Sequence, residues 1–156
     1  AGDAEDGDGA VYPAVQLLPY GKGKLLLSSL DFGEYYHGEA RTVTLRRVCK
    51  RAAAALYRPM VEVEGSMYVE LVVLQKDGRY LIQLVNTGGG HADSGLANFD
   101  EIPPVGPLSL SIALPSAPSE VRLQPEGRPL EGVCRDGRLH LLIDRVEIHS
   151  IVEIVP

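Results

Sequence analysis

The residues whose types and spacing could do chemistry lie in one short segment with the sequence DFGEYYHG. It contains two carboxylates, Asp31 and Glu34, followed by Tyr35, Tyr36 and His37. Glycoside hydrolysis uses two carboxylates about 5–10 Å apart across a sugar, and aromatic rings stack on the apolar face of a pyranose. The segment therefore predicts a small polar and aromatic surface that could bind a sugar. The favoured alternative is a solvated loop that contacts another domain, so we assign no catalytic residue.

A second candidate is the glycine-rich segment 87–98, which contains His91, Asp93 and Ser94. These are the residue types of a nucleophilic triad. Residues so close in sequence on a surface loop lack the rigid positioning that catalysis requires. We interpret the segment as a connector, with His91 and Asp93 as ligand contacts at the rim of the fold in the alternative interpretation.

Metal and cofactor sites are not expected. The two cysteines, Cys49 and Cys134, have no CxxC spacing and no histidine at zinc-ligand spacing beside them. His140 and His149 could meet across the final hairpin and share a metal, although two surface histidines are the favoured interpretation. The glycines around Lys22 are too few for a phosphate-binding loop and predict a turn.

Charge and hydropathy exclude two classes of partner. The net charge of −6 gives no general attraction to nucleic acid or to an anionic membrane. A predicted helix over residues 39–57 carries a basic face that includes Arg46, Arg47, Lys50 and Arg51, but it lacks the interleaved aromatics that stack on bases. No apolar run approaches the roughly 18–20 residues that cross a bilayer. We therefore expect a soluble protein, cytoplasmic or secreted, that binds neither nucleic acid nor membranes.

The elements that position these residues begin with an acidic segment, residues 1–10, which is predicted to be disordered and is not a signal peptide. The missing initial methionine favours a processed or excised chain. Two apolar runs, residues 11–18 and 24–30, flank a glycine-containing turn and predict a hairpin. Residues 31–38 predict a loop. Residues 39–57 then predict a helix whose apolar positions recur at helical spacing, namely Leu45, Val48, Cys49, Ala52 and Leu56.

From Pro59 onward the hydrophobic period is that of strands. Turn signals recur about every ten residues, which is typical of an all-β sandwich. Eight strands are predicted, over residues 61–64, 67–75, 79–86, 108–114, 120–124, 130–134, 138–143 and 146–155. The fold class is therefore mainly β, an antiparallel sandwich preceded by a hairpin and one α-helix. Residues 11–58 have too few elements to enclose a core, so we expect them to dock against the sandwich or a larger sheet.

Several short motifs carry a resemblance. Residues 12–15 (YPAV), 20–24 (YGKGK), 80–87 (YLIQLVNT) and 102–105 (IPPV) resemble the C-terminal part of β-galactosidase-like glycosyl hydrolases. There, the last hairpin and helix of an amidotransferase-like (flavodoxin-type) trimerisation domain precede a β-sandwich. The resemblance implies that residues 11–58 end an α/β domain and that residues 59–156 form the C-terminal sandwich. It transfers no catalytic residue, because that family's catalytic carboxylates lie in a barrel absent from this chain.

These observations predict a non-catalytic accessory region of a larger glycoside-hydrolase-like protein. Its expected partners are the rest of that enzyme or further copies in a homo-oligomer, with carbohydrate as a further ligand, and no cofactor is expected. The alternative is a stand-alone β-sandwich module that binds carbohydrate or protein. The scarcity of aromatics, 6% with no tryptophan, disfavours a dedicated carbohydrate-binding module because sugars stack on aromatic rings.

Overall fold

The structure is a computed structural model that describes residues 3–5, 11–39, 42–88 and 101–156. Its chain divides into two compact units, Ala1–Pro59 and Met60–Pro156, which we call unit 1 and unit 2. None of the described helices is long and apolar enough to cross a membrane.

Unit 1 contains two small antiparallel strand pairs followed by helical segments. The first pair is β1 (Asp3–Glu5) with β2 (Val11–Pro13), and the second is β3 (Val15–Tyr20) with β4 (Gly23–Ser28). Helix α1 (Phe32–Glu34), a π-helical turn (Tyr35–Glu39) and helix α2 (Val43–Leu56) follow. The β3–β4 hairpin turns at Gly21, whose φ of 56° lies in the left-handed region that glycine adopts without strain.

The prediction of a loop over residues 31–38 is wrong, because this segment is α1 and the π-helical turn. Asp31 caps α1: its Oδ1 accepts a hydrogen bond of 3.3 Å from the backbone N–H of Glu34. The predicted helix exists but begins later, since the Thr42 hydroxyl caps α2 by accepting from the N–H of Leu45 at 3.2 Å. Local capping thus sets both helix starts.

Unit 2 is an antiparallel β-sandwich, as predicted. Its nine strands are β5 (Val61–Glu64), β6 (Val69–Lys76), β7 (Arg79–Asn86), β8 (Leu108–Ala113), β9 (Glu120–Gln124), β10 (Arg128–Pro129), β11 (Gly132–Arg135), β12 (Arg138–Ile143) and β13 (His149–Val155). One sheet has the order β10-β9-β13-β7-β6 and the other the order β11-β12-β8-β5. The strand that was not predicted is β10. It has two residues, lies at the edge of its sheet and belongs to a segment whose sequence predicts a turn.

The core of unit 2 consists of alternate residues from the strands of both sheets. On β8, Leu108, Leu110 and Ile112 are buried while Ser109 is exposed, so the strand has one core face. The remaining side chains with almost no exposure come from β7, β12, β13 and the β12–β13 connection: Ile82, Leu84, Ile143, Val146, Val152 and Ile154. Alternation of this kind fixes the register, because a one-residue slip would expose the whole apolar set.

Two glycines allow the connections of the sandwich to approach each other closely. Gly65 has a φ of 114° and Gly106 a φ of 150°, values that residues with a side chain rarely adopt. A Cβ atom at Gly65 would collide with the carbonyl of Pro107, and one at Gly106 with the carbonyl of Asp144. Each glycine is therefore required by both conformation and space.

Candidate functional site

The two candidate carboxylates lie three residues apart, at the two ends of one helical turn. Asp31 is the N-cap of α1 and Glu34 is its last residue. The neighbouring Asp31 side chain, through hydrogen bonding and then through its negative charge, raises the pKa of Glu34 above its ordinary value.

This arrangement does not match the geometry of glycoside hydrolysis. A glycosidase holds its two carboxyl groups about 5–10 Å apart so that the sugar, or the sugar and a water, fits between them. Asp31 instead caps the helix that carries Glu34, so its Oδ1 accepts from the N–H of Glu34 and is not free to face a sugar. Both are exposed, and a solvated carboxyl is a weak catalyst because water screens its charge.

The neighbouring aromatic residues and His37 share the π-helical turn. Tyr35 is 56% exposed, His37 is exposed and Tyr36 is half-buried. The structure therefore places all five predicted residues of this segment on one short helical stretch. A single exposed tyrosine offers a small stacking surface, as expected for a polar patch rather than an enclosed site.

The remaining predicted residues are two in the glycine-rich segment and two histidines on strands. His91 and Asp93 lie outside the described residues. His140 is on β12 and His149 on β13, which belong to different sheets, so the suggested meeting of these two histidines across a final hairpin is wrong. Among residues 3–5, 11–39, 42–88 and 101–156, no group of three or more His, Cys, Asp and Glu side chains could hold a metal ion.

A shallow groove of about 590 Å³ lies on the outer face of the four-stranded sheet. Ser109, a small residue on β8, leaves part of the space, and the imidazole of His140 lies between Val133 and Ser111 on the adjacent strands. Its further lining side chains are Glu131, Arg135, Val133 and Leu142. The groove combines polar groups with two exposed apolar side chains, the composition of a weak ligand site. The groove depends on which strands are neighbours, so its residues show no pattern along the sequence.

Arg138 is a buried cation that the sequence did not reveal. Its side chain lies on the same sheet, where Nε donates to the Ser111 hydroxyl at 2.7 Å and Nη2 donates to the Ser111 carbonyl at 2.7 Å and the Met60 carbonyl at 3.2 Å. Glu62 lies 3.3 Å from Nη2. Buried charges require such partners, so Arg138 ties β5, β8 and β12 together and has a structural role.

Asn86 performs a comparable task at the end of β7. Its Nδ2 donates to the carbonyls of Pro103 and Glu147 at 2.8 and 2.6 Å, and its Oδ1 accepts from the N–H of Gly88 at 2.8 Å. This one amide satisfies three backbone groups in two connections, those between β7 and β8 and between β12 and β13. In the sequence, the only sign of this role is an asparagine at the end of an apolar strand.

The β3–β4 hairpin exposes an unusual amount of apolar surface. Leu17 is 46% and Leu27 47% exposed, and the other exposed apolar side chains of the hairpin are Val15, Leu18, Tyr20 and Leu25. Within the described residues, each of its two strands pairs only with the other. Leucines occur on both faces of this strand pair, a pattern typical of strands covered on both sides.

Comparisons with known proteins bear on the fold. No family model matches the sequence, and no curated protein matches it. Among solved structures, the chain is similar to the α-L-fucosidase isoenzyme 2 from Paenibacillus thiaminolyticus, with a TM-score of 0.70 at 14% identity. The likeness covers 89% of this chain and 21% of the fucosidase, so this chain matches about a fifth of that enzyme's length. Unit 2 makes up under two thirds of the chain, so the likeness must also include residues of unit 1.

Proposed function

We propose that this chain is a non-catalytic accessory region of a larger glycoside-hydrolase-like protein, in which it packs on neighbouring domains or subunits. The observation that carries the proposal is the fucosidase likeness, which includes nearly all of this chain but only a fifth of that enzyme. A fucosidase is a glycoside hydrolase, and a region of this relative size is compatible with an accessory domain. The identity of 14% transfers the fold and no active-site residue.

The exposed apolar hairpin supports a packing role. Half-exposed leucines on both faces of a strand pair lose their contact with water when a neighbouring domain covers them, at about 25 cal/mol per Å². An uncovered hairpin gains nothing from these side chains. The surroundings of Asp31 and Glu34 support the non-catalytic part of the proposal, since both side chains are exposed and Asp31 is engaged as the cap of α1.

The packing role is tested with the double substitution Leu17→Gln, Leu27→Gln. In the isolated 156-residue chain, we expect the melting temperature to change by less than about 2 °C because both side chains are already half-exposed. In the complete gene product, we expect a loss of about 1–2 kcal/mol per leucine in the unfolding free energy. Ile148→Gln, which changes a 60% exposed side chain of unit 2, is the matched control. Equal effects of the double variant in both contexts would contradict the packing role.

The non-catalytic role is tested by hydrolysis assays on aryl glycosides, including an aryl α-L-fucoside. The isolated chain should release no more product than buffer, and Asp31→Asn and Glu34→Gln should match it. Hydrolysis by the wild-type chain that either substitution abolishes would show a catalytic pair and overturn the proposal.

A stand-alone binding module is the second candidate, and the groove beside His140 favours it. Calorimetric titration with plant and bacterial oligosaccharides tests it, with Ser109→Leu as the variant that fills the groove. Ser116→Leu, an exposed serine that does not line the groove, is the control. A heat of binding that is lost only in the Ser109 variant would establish the binding module. If no sugar gives a heat of binding, carbohydrate is not its ligand.

A further inference from the structure

Strand β6 forms an open edge of the five-stranded sheet. It is eight residues long with the sequence VELVVLQK, and among the described residues it pairs only with β7. Val72, Val73 and Leu74 are 37–43% exposed. A long apolar edge strand without proline is a template for pairing with another strand.

The hydrogen-bond pattern shows which residues point out of the sheet. The hairpin turn Asp77–Gly78 has φ values of 50° and 77°, a type I′ turn that is closed by hydrogen bonds between Lys76 and Arg79. The carbonyl of Tyr68 accepts from the N–H of Thr87 at 2.7 Å. Even-numbered residues of β6 therefore bond to β7, and the odd-numbered Leu71, Val73 and Gln75 direct their N–H and C=O groups to the open edge.

The side chains of β6 are complementary to a second, antiparallel copy of the same strand. A two-fold axis passes through Val73 perpendicular to the sheet. A residue that lies a given number of positions before Val73 in one copy is then opposite the residue that lies as many positions after Val73 in the other copy. Glu70 then lies opposite Lys76 of the second copy, and Val72 lies opposite Leu74. Each pair occurs twice because the interface is symmetric. Glu70 and Lys76 are both exposed and lie on one face of the sheet because their numbers have the same parity.

Alternative registers lose this match. With the outer faces of both copies on the same side of the joined sheet, even-numbered residues lie opposite even-numbered ones and odd opposite odd. The sum of two paired residue numbers is therefore even, and neighbouring registers differ by two in this sum. One step in one direction places Glu70 opposite Leu74, and one step in the other places Lys76 opposite Val72. Only pairing centred on Val73 opposes unlike charges and opposes apolar side chains to each other.

We propose that β6 is a homodimerisation edge, at which the five-stranded sheets of two copies join in antiparallel register about Val73. Pairs Val73–Val73, Leu71–Gln75 and Gln75–Leu71 supply about six backbone hydrogen bonds. The proposal goes beyond the accessory role and does not depend on it, because it concerns unit 2 in the chain itself.

Charge exchange in the 156-residue chain tests the register. Sedimentation velocity across a range of concentrations should show a reversible dimer for the wild type. Glu70→Lys places four lysines in two like-charge pairs, and Lys76→Glu does the same with glutamates. We expect each to raise the dimer dissociation constant roughly tenfold or more, and the double variant Glu70→Lys, Lys76→Glu to restore it. Glu131→Lys, the same charge change at an exposed residue of another strand edge, should leave it unchanged.

Amide hydrogen exchange gives a second measurement. The N–H groups of Leu71, Val73 and Gln75 should be protected at high protein concentration and exchange fast in the Glu70 variant, while those of Val72 and Leu74, bonded to β7, stay protected throughout. A chain that is monomeric at all concentrations would overturn the proposal. A dimer that neither single charge variant weakens, or that the double variant fails to restore, would overturn it as well, because it would assemble through another surface.

Discussion

Arg79 Nη1 lies 2.6 Å from Oε1 of Glu153 and so joins β7 to β13 on the outer face of the five-stranded sheet. The other oxygen of Glu153 accepts from Gln124 Nε2 on β9 at 2.7 Å, so one carboxylate links three strands. The hydrogen bond from Gln124, followed by that from Arg79, lowers the pKa of Glu153 below its ordinary value.

The lowered pKa predicts a contribution to acid sensitivity. The stabilisation from Glu153 is fully present above the pKa of an unfolded glutamate and is lost as the pH falls through its lower folded pKa. Glu153→Gln should therefore reduce the unfolding free energy at about pH 7 by roughly 0.5–1 kcal/mol, a small value because Arg79 is 55% exposed. At about pH 3 the difference should shrink. Urea titrations at both pH values measure it, with Glu147→Gln, from the exposed pair with Arg145, as control. An unchanged difference at low pH would contradict the prediction.

Removal of the buried guanidinium should be costly. Arg138→Met should lower the unfolding free energy by about 2–4 kcal/mol, because it removes the guanidinium donors to the Ser111 hydroxyl, the Ser111 carbonyl and the Met60 carbonyl from a buried position. Arg138→Lys should recover part of this loss, since one ammonium cannot reproduce the fork of donors. Ser111→Ala removes a single hydrogen bond and should cost about 1 kcal/mol. Chemical denaturation measures all three, and a larger effect of the serine variant would refute the ranking.

The amide of Asn86 predicts a sharp difference between two nearly isosteric side chains. Asn86→Asp removes both donors and places a negative charge beside the carbonyls of Pro103 and Glu147. We expect a loss of about 2–3 kcal/mol at neutral pH. The loss should become smaller below about pH 4, where the new carboxyl is protonated and can donate again. Gln16→Glu, the same chemical change in the hairpin of unit 1, should alter the melting temperature little.

The Asp31–Glu34 pair predicts a specific titration. Asp31→Asn keeps an oxygen that can cap α1 but removes the negative charge, so the pKa of Glu34 should fall towards its ordinary value. NMR titration of the Glu34 carboxyl carbon measures it. Glu34→Gln should leave the remaining fold intact, as judged by circular dichroism. A Glu34 pKa that does not move in the Asp31 variant would show that another group raises it.

The sandwich was predictable because its determinants are local or periodic. Alternation of Leu108, Leu110 and Ile112 with serines fixed which face is buried, and Asp77–Gly78 and Asp136–Gly137 marked tight turns, both with positive φ in the structure. Such signals need no knowledge of neighbouring strands. The strand bounds of β5, β7, β9 and β12 were obtained correctly for this reason.

The candidate sites were less predictable because they depend on long-range neighbours. Separation along the chain did not show that His140 and His149 belong to different sheets. Arg138 is buried where β12 pairs with β8, opposite Ala113. The residues next to Arg138 in the sequence do not specify this pairing. The helical conformation at Asp31 was missed because a capping side chain outweighed the loop tendency of the nearby glycines.

The position of β13 has a consequence for biosynthesis. Strand β13 lies between β9 and β7, so the two halves of its sheet cannot join until residues 149–155 have left the ribosome. A nascent chain that lacks them presents the inward faces of β7 and β9 to water, including Ile82, Leu84 and Leu123. Such transient exposure makes incomplete chains prone to aggregation. Translation speed and chaperone supply should therefore influence the yield of this fold.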